Sequence, residues 1–268
     1  MSFIELLENY IKSKEIENKS PRTLKTYKSI VNQFLKFLDK KEIVEIQNVT
    51  TENVVEFLQQ YKNKPSRSII GVVTKNFLRF NDIEIKLSFF YKPREVKGVD
   101  IEYLKKVYDS GDVFDKAILS FLVSSGLRAN EMISLKMKDI NFEKREGLVL
   151  SKGKKSYEKK DKFVFSVQAR NDLIVYLGER ISNKESFLFL NPKGKQWKYW
   201  SLWKYFSKKF TFTLHKLRHT FCYEGSYIFT PIELKILARH KSFETTQKYI
   251  EPESERIIQR SKNRQIEI

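Results

Sequence analysis

Apolar residues recurring at helical spacing constrain the first eighty residues to a helical fold. Behind Ser20-Pro21, Leu24, Tyr27, Val31, Phe34 and Leu38 make one stripe that can face a core only as a helix, while Lys25, Lys28 and Lys36 lie on its other face. Serine is a good N-cap and proline fits the first helical position, so a helix starts there. Ile4, Leu7, Tyr10 and Ile11 predict a helix before it. Thr50 or Thr51 caps a third that buries Val54, Val55, Phe57 and Leu58, and Ser66 opens a fourth through Ile69, Val73, Phe77 and Phe80. A bundle of this kind suits protein interaction and DNA binding equally. Lys62, Lys64, Arg67, Lys75 and Arg79 tilt the reading towards phosphate.

Leu87 to Gly98 fits neither helix nor strand spacing and holds Pro93 with the bases Lys92 and Arg94, so it reads as part of an interdomain linker. The division expected is a helical DNA-binding domain over 1–82, a linker over 83–99 and a catalytic domain over 100–268. Two basic domains so joined could close round a duplex as a C-shaped clamp. The formal charge of +18, from 51 Lys+Arg against 33 Asp+Glu, is spread along all 268 residues and points to nucleic acid, although a biased genomic composition would also enrich lysine. One cysteine, Cys222, excludes an internal disulfide and suits a reducing compartment. No apolar run nears the roughly 20 residues that span a bilayer, and acids near the start oppose a signal peptide, so a cytoplasmic protein with no membrane partner is expected.

In the second domain Asp100 caps a helix. Another runs from about Asp115 to Ser125, burying Ile118, Leu119, Leu122 and Val123, and ends at Gly126. Arg128 then stands where a helix restarts, with Glu131 one turn on. Alone, this is an ordinary helical ion pair; near a helix N-terminus it could instead meet an anion. Glu146 to Tyr157 and Lys162 to Val167 read as strands joined by a hairpin carrying Lys152, Lys154 and Lys155, which is either a solvated edge or a phosphate contact. Leu173, Ile174, Tyr176 and Leu177 mark a helix, Phe187 to Leu190 a short strand, and Pro192 to Gly194 a turn. Trp197, Tyr199, Trp200, Trp203, Tyr205 and Phe206 are assigned to packing.

The last third carries the chemistry. His215 and Arg218 share a helix face, and His240 precedes Tyr249. Arginine grips phosphate with a fixed fork of donors, histidine moves protons near neutral pH, and a tyrosine hydroxyl can be a covalent nucleophile. Together they suggest phosphoryl transfer through a phosphotyrosine.

These residues resemble the tyrosine recombinase, or phage integrase, family, including its Xer-type resolvases. Ser-Gly-Leu-Arg128-Ala-Asn-Glu131 looks like its first arginine box and Ser-Lys152-Gly-Lys-Lys like its hairpin lysine motif. His215-Lys-Leu-Arg218-His-Thr-Phe resembles its second box, and Arg239-His240 through Tyr249 its last. The family usually has glycine immediately before that histidine, where this chain has Arg239.

The resemblance implies a mostly α chain with a small β-sheet: a helical, SAM-like core-binding domain followed by an α+β catalytic domain. It implies a site-specific recombinase that cuts and rejoins double-stranded DNA through a 3′-phosphotyrosine at Tyr249, with Arg128, Arg218 and His240 on the phosphate. His215 assists the tyrosine's proton loss, Lys152 is the general acid with Lys154 and Lys155 as near alternatives, and Glu131 orients Arg128. No metal and no other cofactor is implied. The expected assembly is a homotetramer on two sites, monomer or weak dimer off DNA, held by a C-terminal helix containing Ile257 and Ile258 beyond a short Tyr249 helix ended by Pro252. A type IB topoisomerase-like nicking enzyme and a non-catalytic DNA-binding protein are the competing readings.

Overall fold

A computed structural model describes residues 2–62, 64–89, 96–151, 160–180 and 187–250. The chain divides into two compact units, Met1–Arg94 and Glu95–Ile268. Among the described residues no helix is long and apolar enough to cross a membrane.

The first unit contains α1 (Phe3–Ile16), α2 (Pro21–Lys40), α3 (Thr51–Gln59) and α4 (Lys64–Phe80). Their starts follow from side-chain caps. Ser2 and Glu5 form a reciprocal box, Ser20 accepts from the Thr23 N–H at 3.2 Å ahead of Pro21, and Thr50 pairs with Asn53. Each such cap stabilises its helix by about 1 kcal/mol. Tyr10, Val31, Phe34, Leu38, Val54, Phe57, Phe77 and Leu78 are buried in one core. Edge-on aromatic contacts fix its interior: Tyr10 meets Phe77 at 5.4 Å and Phe34 meets Phe57 at 5.0 Å.

Several stripe residues differ from expectation. Ile4, Ile69 and Phe80 are 70%, 59% and 42% exposed, and Val55 is 37% exposed. Leu6, Ile70 and Leu78 are buried instead, alongside the expected Leu7, Tyr10, Val73 and Phe77, so the stripes hold at their centres and differ at their edges. α4 begins at Lys64 rather than Ser66, which leaves Pro65 in the first turn where its missing N–H costs nothing. The segment expected to open the linker is partly core. Ile85 is buried, with Ile83, Leu87 and Phe89 packed beside it, and Lys75 Nζ donates to the Leu87 carbonyl at 2.8 Å.

The second unit contains α5 (Ile101–Asp109), α6 (Val113–Ser125), α7 (Ala129–Ile133), β1 (Ile140–Asn141), β2 (Glu146–Val149), β3 (Asp161–Val164), α8 (Val167–Glu179), α9 (Tyr199–Lys209), α10 (Leu214–Ile228), α11 (Pro231–Leu237) and α12 (Phe243–Gln247). The strands form an antiparallel sheet in the order β1-β2-β3, with Gly147 opposite Phe163 and Leu148 opposite Lys162. α6 is the central element. Ala117, Ile118, Leu119, Phe121 and Leu122 are all buried, and α5, α8, α10 and β3 pack around it. A helix apolar on most of its circumference belongs inside a unit.

α6 starts two residues before the expected Asp115, which instead closes a capping box with Asp112. The Asp112 carboxylate accepts the Asp115 N–H at 2.9 Å, and Lys209 pairs with both acids. Its end is as expected: Gly126 has φ 58°, the left-handed conformation that closes a helix. The strand expected over Phe187 to Leu190 is reduced to single bridges, Lys136 with Phe187 and Leu190 with Gln196, although Leu188 and Phe189 are buried. The aromatic run divides. Trp197 and Phe206 pack inside, while Trp200 is 66% exposed and stacks on Trp203 at 4.6 Å.

Candidate active site

Three segments of the second unit bring the site residues together. α10 presents His215, Arg218, His219 and Cys222 within two turns. The loop leaving α6 supplies Arg128, and the turn after α11 supplies Arg239 and His240, with Tyr249 just beyond α12. Tyr249 therefore sits in the turn after a short helix rather than on one; its N–H donates to the Thr246 carbonyl at 3.0 Å.

Arg218 is 3% exposed. Its guanidinium donates to the Gly126 carbonyl and, at 2.5 Å, to the Ala238 carbonyl, tying the Arg128 loop to the His240 turn. Arg128 is more open, with 27% of its side chain exposed, and Glu131 holds it as expected. One Glu131 oxygen accepts from Arg128 Nη1 at 2.7 Å, and the other accepts the Arg128 backbone N–H at 2.9 Å. The carboxylate itself is buried, so it orients the arginine while leaving part of the guanidinium accessible.

The His240 turn has a specific backbone cause. The Arg239 N–H donates to the Ile236 carbonyl and the His240 N–H to the Lys235 carbonyl, both at 3.0 Å, which together make a Schellman ending for α11. The motif needs a left-handed residue between them, and Arg239 takes φ 54°. Glycine suits that position because any other L-residue is strained there by about 1–2 kcal/mol. His240 is then buried, with Nδ1 at 2.9 Å from Thr246 Oγ1 and its ring parallel to that of Tyr249 at 6.2 Å.

The Tyr249 hydroxyl lies 2.6 Å from Nδ1 of His219. His215, expected to assist this tyrosine, packs its ring edge-on against His219 at 4.4 Å instead. His219 was legible as one of only three histidines and as the residue four places after His215. Its approach to Tyr249, thirty residues on, is set by the tertiary fold.

Burial, then the neighbouring charges of His215, Lys216 and Arg218, pushes His219 down to about 4. Burial, then Arg218, Arg128 and Arg239, pushes His240 down to about 3. Burial first, with Arg218 and Arg128, also lowers His215. The three rings are thus neutral at pH 7, and a neutral His219 can accept the phenol proton. Burial raises Tyr249 above the ordinary phenol value, against the pull of Arg218. The ground state is a protonated tyrosine held against a neutral imidazole inside a strongly cationic pocket.

Among the expected DNA contacts, Lys25, Lys28, Lys62 and Arg79 are exposed on the first unit. Arg67 is turned inward, donating from Nε and Nη2 to the Tyr61 carbonyl at 2.8 and 2.6 Å, and Lys75 is engaged with Leu87. Lys64 opens α4. Lys92, Arg94, Lys152, Lys154 and Lys155 lie outside the described residues, as do Pro252 and the C-terminal segment with Ile257 and Ile258.

The chain is thus mostly helical in two units, the second holding a small sheet and a buried tyrosine among arginines and histidines. The chain belongs to the phage integrase family: residues 99–256 match the model described as "Phage integrase family", and residues 6–97 match "Phage integrase, N-terminal SAM-like domain". It is 26% identical to tyrosine recombinase XerA of Pyrococcus furiosus, over 91% of this chain and 88% of that protein. It is 28% identical to tyrosine recombinase XerC of Oceanobacillus iheyensis, over 93% and 92%. The fold is shared with XerH site-specific recombinase bound to a palindromic difH substrate, at TM-score 0.71, 19% identity and coverage of 95% and 83%. It is also shared with a lambda integrase dimer bound to a core site, at TM-score 0.73, 15% identity and coverage of 95% and 97%.

Proposed function

We propose that this chain is a site-specific DNA recombinase that cuts and rejoins duplex strands through a covalent 3′-phosphotyrosine at Tyr249. The observation that carries the reading is the Tyr249 hydroxyl at 2.6 Å from His219 Nδ1, beside Arg128, Arg218 and His240. The related proteins named as tyrosine recombinases support it.

A phosphodiester already carries a negative charge and repels nucleophiles, and the in-line transition state loads more charge onto its non-bridging oxygens. Fixed donors placed where that charge grows lower the barrier most. Arg128, steadied by Glu131, Arg218 and His240 fill this role. The Tyr249 oxygen bonds to phosphorus as its proton passes to His219, with His215 beside it, and the bond to O5′ breaks. Lys152 protonates that leaving oxygen, Lys154 and Lys155 being its near alternatives. A 5′-hydroxyl from a second strand then reverses the step, so the phosphodiester is conserved.

The exposed Lys25, Lys28, Lys62 and Arg79 serve as backbone contacts to duplex DNA, together with Lys64, Lys92 and Arg94, whereas Arg67 and Lys75 are spent on the carbonyls of Tyr61 and Leu87. Phosphate contacts of this kind position a protein without reading sequence. The working assembly is a homotetramer on two sites, built through the C-terminal segment, in the cytoplasm. An exchange assay with two differently labelled duplexes tests the whole reading. Recombinant products that depend on Tyr249 and on both sites support it; relaxation of supercoiled DNA without exchange would favour the topoisomerase-like activity.

A further inference from the structure

Arg239 occupies a backbone position where glycine would fit without strain, so its side chain must account for what the position does. That side chain is 3% exposed. Nη1 donates to the Leu237 carbonyl at 2.8 Å, while Nη2 donates to the Gly126 carbonyl at 3.0 Å and the Ser125 carbonyl at 3.2 Å. Nη2 also lies 4.0 Å from Glu131 Oε2, and the guanidinium stands over the Phe163 ring at 5.9 Å. One planar cation thus touches the end of α6, the carboxylate that orients Arg128, strand β3 and the turn that carries His240.

Gly126 is the shared anchor. Its carbonyl accepts from both Arg218 and Arg239, which fixes the loop before Arg128 against the turn before His240 from two sides. Burial works against the Arg239 charge and lowers it to about 10, with Glu131 pulling the other way, so it remains a cation at neutral pH.

We propose, building on the recombinase reading above, that Arg239 is a positioning residue: its buried guanidinium sets the spacing between Arg128 and His240 and so pre-arranges the phosphate site. It does not touch the phosphate. Misplacing such donors by about 1 Å can cost about 100-fold in rate, whereas binding of the duplex depends on contacts spread over the whole interface.

The test compares wild type, Arg239→Gly and Arg239→Lys as full chains, measuring DNA affinity and the single-turnover rate of covalent adduct formation on a duplex nicked to trap cleavage. Arg239→Gly relieves the backbone yet is expected to cleave about 10- to 100-fold more slowly, with affinity within about three-fold of wild type. Arg239→Lys keeps one donor group and is expected to recover part of the rate. Wild-type rates in the glycine variant overturn the proposal, as does an affinity loss as large as the rate loss, which marks a direct phosphate ligand. If the glycine variant does not fold, Arg239→Lys decides: a slower rate at unchanged affinity supports the inference and a wild-type rate overturns it. If wild type itself forms no adduct, the recombinase reading has failed separately. The inference is then decided by amide chemical shifts of Gly126, Leu127 and Arg128, which move in Arg239→Gly if the strut is real and stay fixed if it is not.

Discussion

Replacing His219 by glutamine isolates the proton transfer from the rest of the site. A free phenol with a pKa near 10 is about one part in a thousand ionised at pH 7, and burial here drives Tyr249 further towards its protonated form. Attack therefore requires the proton to leave as the bond to phosphorus forms. His219 Nδ1, at 2.6 Å, is the base in contact with that hydroxyl. Burial holds its basicity down first and the charges around it second, Arg218 among them; a phosphodiester arriving beside Arg218 offsets that second contribution.

A positioned general base contributes about 10²- to 10⁴-fold. Glutamine can still accept the hydrogen bond but cannot take the proton, so single-turnover cleavage by His219→Gln should fall about 100-fold, at the low end of that range. DNA affinity, read by fluorescence anisotropy, should stay within about three-fold because the ring is neutral before cleavage. His215→Gln should lose less. Near wild-type cleavage by His219→Gln beside a crippled His215→Gln would rule out His219 as the proton acceptor, since His215 would then hold that role despite its place behind His219.

Gly126→Ala forces an L-residue to φ 58° and drives a methyl into the Phe221 ring. Left-handed strain and overpacking together should cost about 2–4 kcal/mol in urea unfolding, and cleavage should fall as well because the Gly126 carbonyl anchors two arginines; an unchanged midpoint contradicts this. Acid should weaken the second unit. His219 and His240 have folded pKa values of about 4 and 3, below the ordinary 6.5, so the unfolded chain binds more protons as pH falls through 6.5 towards 4, and stability drops over that window. The melting temperature should therefore be lower at pH 5 than at pH 7, with a smaller drop in His219→Gln; equal drops in the two proteins would count against the assignment. Ser20→Ala should destabilise the first unit by about 1 kcal/mol in thermal or urea unfolding through loss of its helix cap, and no change would show that Pro21 alone sets the start of α2.

Local signals carried much of this architecture. Ser20, Thr50, Asp100 and Gly126 mark helix ends through interactions spanning a few residues, so their roles are readable from spacing. The Arg128–Glu131 contact is likewise one helical turn. Tertiary contacts were less legible. Ile69 and Ile70 both fit a helical stripe, and only packing against the rest of the bundle decides which one turns inward. Residues 83–89 did carry a usable signal, since Ile83, Ile85, Leu87 and Phe89 alternate with polar residues as an extended segment does. The meeting of His219 with Tyr249, and of Arg239 with Gly126, joins residues far apart in the chain. Arg239 could be seen as a departure from the family's glycine, but its inward direction depends on where α6 ends.

Every step of the proposed reaction depends on Tyr249 as the nucleophile. Incubating the protein with attachment-site or dif-like duplexes that carry a nick to trap cleavage, denaturing, and mapping the DNA-linked peptide by mass spectrometry tests it most directly. The expected result is a denaturation-resistant adduct on Tyr249 that Tyr249→Phe abolishes while duplex binding persists. An adduct that survives in Tyr249→Phe, or maps to another residue, would contradict it.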